Sequence, residues 1–189
     1  MKVAKQIYGD LYRVINKKPS SKLERLSYLF KYFISDRGFR AIFLYRLCRY
    51  YYVNDNKSLY KFFRFFNFLL NPIEISVSTE IGIGLYIMHP QCIVIGGGKL
   101  GNNIDIAQGV TIGLKDKENE YPTIGDNVHL GAGCMILGDV NIGDNSRVGA
   151  NAVVITDIPK NSIAVGVPAK IKKKGEYVYL PGNISNELG

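Results

Sequence analysis

Two spacings of apolar residues divide this chain near Asn71-Pro72. Before that point Leu23, Leu26, Leu29, Phe30, Phe33 and Ile34 recur at helical spacing, behind a capping-box pair, Ser21 and Glu24, just after Pro19. Gly38 is expected to break that helix, and a second is predicted over residues 39–53. A third, over residues 58–70, stops where proline disfavours helix in the residue before it. Beyond Pro72 the period becomes six. Ile75, Ile81, Ile87 and Ile93 open the series; one residue is added at Gly96-Gly97-Gly98, and Leu100, Ile106 and Ile112 follow. Ile124, Leu130, Ile136, Ile142, Val148 and Val154 complete thirteen large aliphatics on one template. Four places after the later ones stand Val128, Cys134, Val140, Ser146 and Ala152, and glycine follows directly at 125, 131, 143 and 149.

Neither a helix nor an alternating strand has a period of six, whereas a triangular solenoid does. Each six-residue unit is a short strand plus a corner, and three units close a coil of about 18 residues. The large aliphatic points inward, the small residue fits a tight interior, and Gly or Asn tolerates the corner's dihedrals. Burial at roughly 1.5–3 kcal/mol each gives thirteen aliphatics a gross term of a few tens of kcal/mol. With coils about 4.8 Å apart, the column is roughly 20 Å tall. The segment 114–123 (LKDKENEYPT) breaks the register with a strongly charged stretch and reads as a loop thrown out from the column. The fold expected is mainly β: a solenoid domain over 72–174 with an extruded loop at 114–123, an α-helical region over 1–71 and a tail over 175–189.

Charge and aromatics follow the same boundary. Residues 1–71 carry fifteen Lys and Arg against four Asp and Glu, a net +11, and 18 of the 22 Phe and Tyr. The remainder carries a net −3. Phe62, Phe63, Phe65, Phe66 and Phe68 surround more of one helix than a single core stripe needs. Two readings follow: packing against the column's base or a second oligomer, or rest on an anionic membrane surface. No apolar run has the length of a membrane span, and the first residues lack the apolar core of a secretory signal. Cys48, Cys92 and Cys134 share no metal or redox spacing, so a reducing cytoplasm is expected, with peripheral contact at the membrane's inner face under the second reading. Two histidines rule out a three-histidine zinc site, and no metal is expected. No nucleic-acid recognition motif accompanies the basic charge. Gly96-Gly97-Gly98-Lys99 lacks the spacing of a phosphate loop and reads as a turn.

The hexapeptide register followed by NAVVITDIPKNSIAVGVPAKIKKK (151–174) resembles the left-handed parallel β-helix acyltransferases. That resemblance implies a left-handed coil, a homotrimer or a multiple of trimers, and acetyl-CoA in the groove between neighbouring columns. Residues 74–96 (EISVSTEIGIGLYIMHPQCIVIG) are similar to serine acetyltransferases, and more closely to colanic-acid and other polysaccharide O-acetyltransferases. His89 falls on the family's catalytic histidine, and Glu74, fifteen residues earlier, on the carboxylate that orients it. An acceptor hydroxyl must lose its proton as it attacks a thioester, and imidazole titrates near the working pH. His129, the other histidine, precedes inward Leu130 and is expected on the outer surface. Gly113 is the candidate oxyanion donor through its backbone N–H. Small residues at Ala132 and Ala150 match positions lining the pantetheine arm in galactoside-type relatives, and Thr156 follows in the TDIP segment where those relatives carry lysine. Lys170, Lys172, Lys173 and Lys174 match basic positions that meet the cofactor's phosphates.

Where the serine enzymes carry Asp-His and Arg-His pairs, this sequence has Met88-His89 and Glu120-Tyr121. The resemblance makes Met88, Glu120 and Tyr121 acceptor-binding positions without the groups that grip an amino acid's charges. The expected function is therefore acetyl transfer from acetyl-CoA to a sugar hydroxyl in glycan biosynthesis, with a saccharide as partner. Serine acetylation is the alternative, and a non-catalytic solenoid scaffold the alternative of another class.

Overall fold

A computed structural model of the chain describes residues 3–115 and 120–174. Four helices come first: α1 (Val3–Ile15), α2 (Lys22–Ser35), α3 (Arg37–Val53) and α4 (Lys57–Leu70). Short strands then wind into a parallel solenoid of three sheets. The first sheet stacks β1 (Ile73–Ile75), β4 (Ile93–Ile95), β7 (Thr111–Gly113), β10 (Met135–Leu137) and β13 (Val153–Val154). The second stacks β2 (Glu80–Ile81), β5 (Lys99–Leu100), β8 (Thr123–Ile124) and β11 (Asn141–Ile142). The third stacks β3 (Tyr86–Ile87), β6 (Asp105–Ile106), β9 (His129–Leu130), β12 (Arg147–Val148) and β14 (Ser162–Val165). An antiparallel strand, β15 (Lys170–Lys174), pairs with β14 at the edge of the third sheet, so the last five described residues form a hairpin arm and not another coil.

Twelve of the thirteen aliphatics are buried, and Ile75, in the first coil, is half-buried. The small positions Val128, Cys134, Val140, Ser146 and Ala152 are buried as well. One detail of the register differs. Ile75 pairs with Ile95, and Ile95 with Ile112, so Ile95 holds the template position that the period assigns to Ile93. Ile93 also points inward, which is why the period misses the shift. Two residues are thus inserted between Ile87 and Ile95, at the corner containing His89, and one is removed at the glycine turn.

The corner between the second and third sheets is built on asparagine. Asn103, Asn127, Asn145 and Asn161 all have φ between 55° and 57°, a region asparagine enters at lower cost than most side chains. Their side chains stack: Asn103 Nδ2 donates to Asn127 Oδ1, Asn127 to Asn145 and Asn145 to Asn161, each at 3.1 Å.

The helices seat on the first coil. α2 begins as expected, with Ser21 Oγ accepting from the Glu24 N–H at 3.1 Å, though the Glu24 carboxylate reaches back to Ser20 and not to Ser21. Gly38 does not break the helix. The chain leaves helical geometry at Asp36, which ends α2 and caps α3 by accepting from the Phe39 N–H at 2.8 Å. Gly38 lies in the first turn of α3, where any Cβ would run into the Ile87 carbonyl oxygen. α1, which no cap signal marked, brings Asp10 into the interface. Asp10 and Arg46 of α3 are fully buried and form a two-pronged ion pair. Asp10 also accepts from the Gly84 and Leu85 N–H groups, and Arg46 donates to the Ile81 and Gly82 carbonyls.

Removing one partner of such a pair leaves the other charge buried alone. Asp10→Ala is expected to destabilise the protein by about 3–5 kcal/mol, read as a lowered denaturation midpoint in urea. A midpoint equal to that of the parent chain would show that the pair does not hold the helices to the column.

Candidate functional site

Corners of the column, where strands release their side chains, carry the candidate chemistry. Along the edge between the third and first sheets, His89 stands exposed in the inserted corner. The Gln91 N–H turns back to the His89 carbonyl at 2.8 Å, and the Cys92 N–H reaches the Pro72 carbonyl at 3.1 Å. Cys92 itself has φ 53°. From there a backbone ladder climbs the edge: Gly109 N–H to Gln91, Gly133 N–H to Gln108, and Asn151 N–H to Ala132, at 2.8–2.9 Å. Ala132 and Ala150 therefore lie two and three coils above His89, roughly 10 and 14 Å at the usual strand spacing. The turn at residues 166–169 closes the top, its Ala169 N–H bonded to the Val153 carbonyl at 2.8 Å, and Lys170 follows it, exposed. Lys172 is exposed on β15, and the side chains of Lys173 and Lys174 lie outside the described residues.

The opposite edge of the first sheet holds a second group. Gly113 ends β7, and a Cβ built there meets nothing, so the space beside its backbone is open. The loop leaves after it; residues 116–119 lie outside the described ones. On its return, Glu120 and Tyr121 are half-buried, and the Tyr121 ring lies against Gly97 so closely that a side chain there would collide with it. Thr156 is exposed higher on this edge. Within one column, then, Met88 and His89 share an edge with Ala132, Ala150 and Lys170. Gly113, Glu120, Tyr121 and Thr156 share the other.

Between the edges runs the outer face of the first sheet, where Glu74, Val94, Thr111, Met135 and Val153 are in register. Glu74 is exposed on this face and lines a cleft of about 640 Å³ against α3 and α4, opposite Lys61 and Arg64. No hydrogen bond or ion pair joins Glu74 to His89 in the single column. Their backbones are close, because Pro72, two residues before Glu74, accepts from Cys92. Reading the sequence did not bring Lys61 and Arg64 to this cleft; their three-residue spacing on α4 was the available signal.

His129 departs from its expected surface position. It points out of the third sheet yet is largely covered, with Nδ1 at 4.0 Å from Asp105, which is itself paired with Arg13 of α1. Among the described residues, no group of three or more His, Cys, Asp or Glu could hold a metal ion, and no helix is long and apolar enough to cross a membrane.

Comparison with known proteins agrees with this geometry. The family signature described as bacterial transferase hexapeptide (six repeats) matches residues 121–156. The structure of Neisseria gonorrhoeae serine acetyltransferase superposes with a TM-score of 0.77 at 34% identity, covering 92% of this chain and 67% of that one. The same enzyme in complex with serine gives 0.76 at 32%, covering 91% and 69%. The chain belongs to the hexapeptide-repeat transferases. Among curated members, the serine acetyltransferase of Haemophilus influenzae is 32% identical over 138 residues, 71% of this chain and 52% of that protein. The probable serine acetyltransferase 2 of Oryza sativa subsp. japonica is 49% identical over 102 residues, 52% of this chain and 29% of that one. The chain thus spans about half, or less, of the length of these curated relatives. The closer likeness expected to polysaccharide O-acetyltransferases finds no support among them.

The thiols give a direct check on the site's geometry. Burial pushes the Cys134 thiol up to about 12 and the Cys48 thiol up to about 11, whereas Cys92 is exposed in the His89 corner. At pH 8 iodoacetamide is expected to modify Cys92 alone, since the thiolate is the nucleophile. Peptide mass spectrometry showing Cys48 or Cys134 labelled as fast as Cys92 would contradict this placement.

Proposed function

We propose that the chain transfers an acetyl group from acetyl-CoA to a hydroxyl, with His89 as general base and serine as the first-ranked acceptor. The observation that carries the transfer is the shared edge: His89 at its foot, small residues at Ala132 and Ala150 above it, and the basic β15 at its head. Small residues let the cofactor's arm lie against the backbone, and the lysines suit its phosphates. The acceptor oxygen attacks the thioester carbonyl while His89 takes its proton. The tetrahedral intermediate then expels the CoA sulfur, which recovers that proton from the imidazolium. Gly113 N–H is the candidate donor to the oxyanion. Because Gly113, Glu120 and Tyr121 stand on the other edge, a complete site takes groups from two columns side by side. Exposed Val94 and Met135 on the intervening sheet favour that association, as a trimer or a multiple of one.

Serine ranks first because the likeness to serine acetyltransferases extends through the helices as well as the column. A second reading, a neutral saccharide acceptor, is favoured by Met88, Glu120 and Tyr121, which lack the charges that would clamp an amino acid. Release of free CoA thiol with millimolar L-serine, set beside a panel of neutral saccharides, separates them: turnover with saccharides and not serine supports the second. Turnover with neither, and no acetyl-CoA binding, would leave a scaffold.

His89→Ala is expected to slow the chemical step by about 10²–10⁴-fold while leaving acetyl-CoA affinity nearly unchanged. Glu74→Gln should cost less, because it alters orientation and charge without removing the base. Near-normal turnover in His89→Ala would remove this residue from the mechanism. In light scattering the active protein should have three times the chain mass or a multiple of it, and a fully active monomer would refute the shared site.

A further inference from the structure

We propose that the outward faces of α2 and α4 form a docking surface for an anionic lipid bilayer. α4 is rich in Phe and Leu yet has no fully buried side chain. Tyr60, Phe63 and Asn67 turn toward α3, where Phe63 stacks on Tyr51 at 5.5 Å. Phe65 and Phe68 border the cleft beside Glu74, whereas Phe62 and Leu69, 52% and 62% exposed, and Phe66 face away from it. α2 repeats the arrangement: Leu23, Leu26, Phe30 and Ile34 fall on one exposed stripe, and no residue of the helix is fully buried. One side chain links the C-terminal ends of the two helices. The Arg40 guanidinium donates to the Ile34 carbonyl at 3.3 Å and to the Leu70 carbonyl at 3.4 Å, joining the last turns of both helices. Exposed apolar side chains in this number mark an interaction site.

Charge selects the partner. Lys22, Lys31 and Lys57 are exposed on these two helices, outside the cleft that Lys61 and Arg64 border. Their one acidic residue, Glu24, is bound to Ser20 and Lys17. α4 has no acidic residue at all. A second copy of this face would bring like charges together with nothing to pair them, whereas an anionic headgroup layer complements them. Each helix is 14 residues long, too short to span a bilayer and suited to lying in its surface with Phe and Leu below the headgroups.

The test is flotation of the full chain with vesicles of phosphatidylcholine, alone or with about 30% phosphatidylserine. Binding is expected only to the anionic vesicles, and about tenfold weaker or more at 0.5 M than at 0.05 M NaCl. The double variant Phe62→Ser with Leu69→Ser should lose binding about tenfold or more, as should Lys22→Gln with Lys31→Gln and Lys57→Gln. Lys99→Gln, on the far sheet, should bind as the parent does. All these side chains are exposed, and unchanged circular dichroism would confirm folding. Absence of flotation at low salt, or binding indifferent to both sets of variants, would overturn the proposal. So would a doubled mass in light scattering that Phe62→Ser with Leu69→Ser abolishes, because the face would then belong to a second copy.

Discussion

A stack of parallel coils must begin somewhere, and its first coil has backbone groups with no coil beneath to bond them. That constraint governs the lower half of this molecule. Buried peptide groups without partners are costly, and here side chains supply the partners. Arg46 binds the Ile81 and Gly82 carbonyls, Asp10 receives the Gly84 and Leu85 N–H groups, and Arg49 meets Val77. Tyr45 bonds the Thr79 carbonyl and Gln6 that of Ile81. Burying Asp10 and Arg46 costs solvation, and their mutual bonds together with four backbone contacts offset it. The helices are thus the column's missing neighbour, and they lie where they do because the first coil's unpaired groups dictate it.

Much of this was legible in the sequence, for identifiable reasons. The solenoid period survives because every inward position needs an aliphatic, whatever its distant neighbours. The shift from Ile93 to Ile95 was not legible, because both side chains point inward and only pairing across coils distinguishes them. Gly38 reads locally as a helix breaker; its smallness instead answers to the Ile87 carbonyl, a neighbour far along the chain. Asp10 and Arg46 look like ordinary surface charges, since nothing local announces a partner 36 residues away. The asparagine stack was visible in principle, as Gly-Asp-Asn at 125–127 and again at 143–145.

The candidate site was legible in its residues and not in its arrangement. Both insertions into the regular coil flank the first sheet: two extra residues at the His89 corner, and the loop after Gly113 that lengthens three successive registers to 24 residues. Insertions at corners leave the inward aliphatics undisturbed, so this is where a solenoid can acquire chemistry at little cost to its core. Which edge each insertion occupies follows from counting coils through the structure. Linear spacing could therefore name His89 and Tyr121 without showing that they stand at opposite ends of one sheet.

The stacked asparagines also limit how such a protein can lengthen over time. Asn127 hands its amide hydrogen to Asn145 across an offset of 18 residues, and a tandem duplication of 125–142 would offer each donor an identical acceptor one level higher. Within a strand, an insertion of any other length would turn the aliphatics that follow toward water, whereas corners absorb extra residues, as at His89 and after Gly113. Neither end of the column has this freedom: Asp10 and Arg46 are fitted to one coil's peptide groups, and the closing hairpin to another's. Growth in height therefore comes from whole coils added in the upper part of the column, and such additions leave the distance between His89 and the loop as it is.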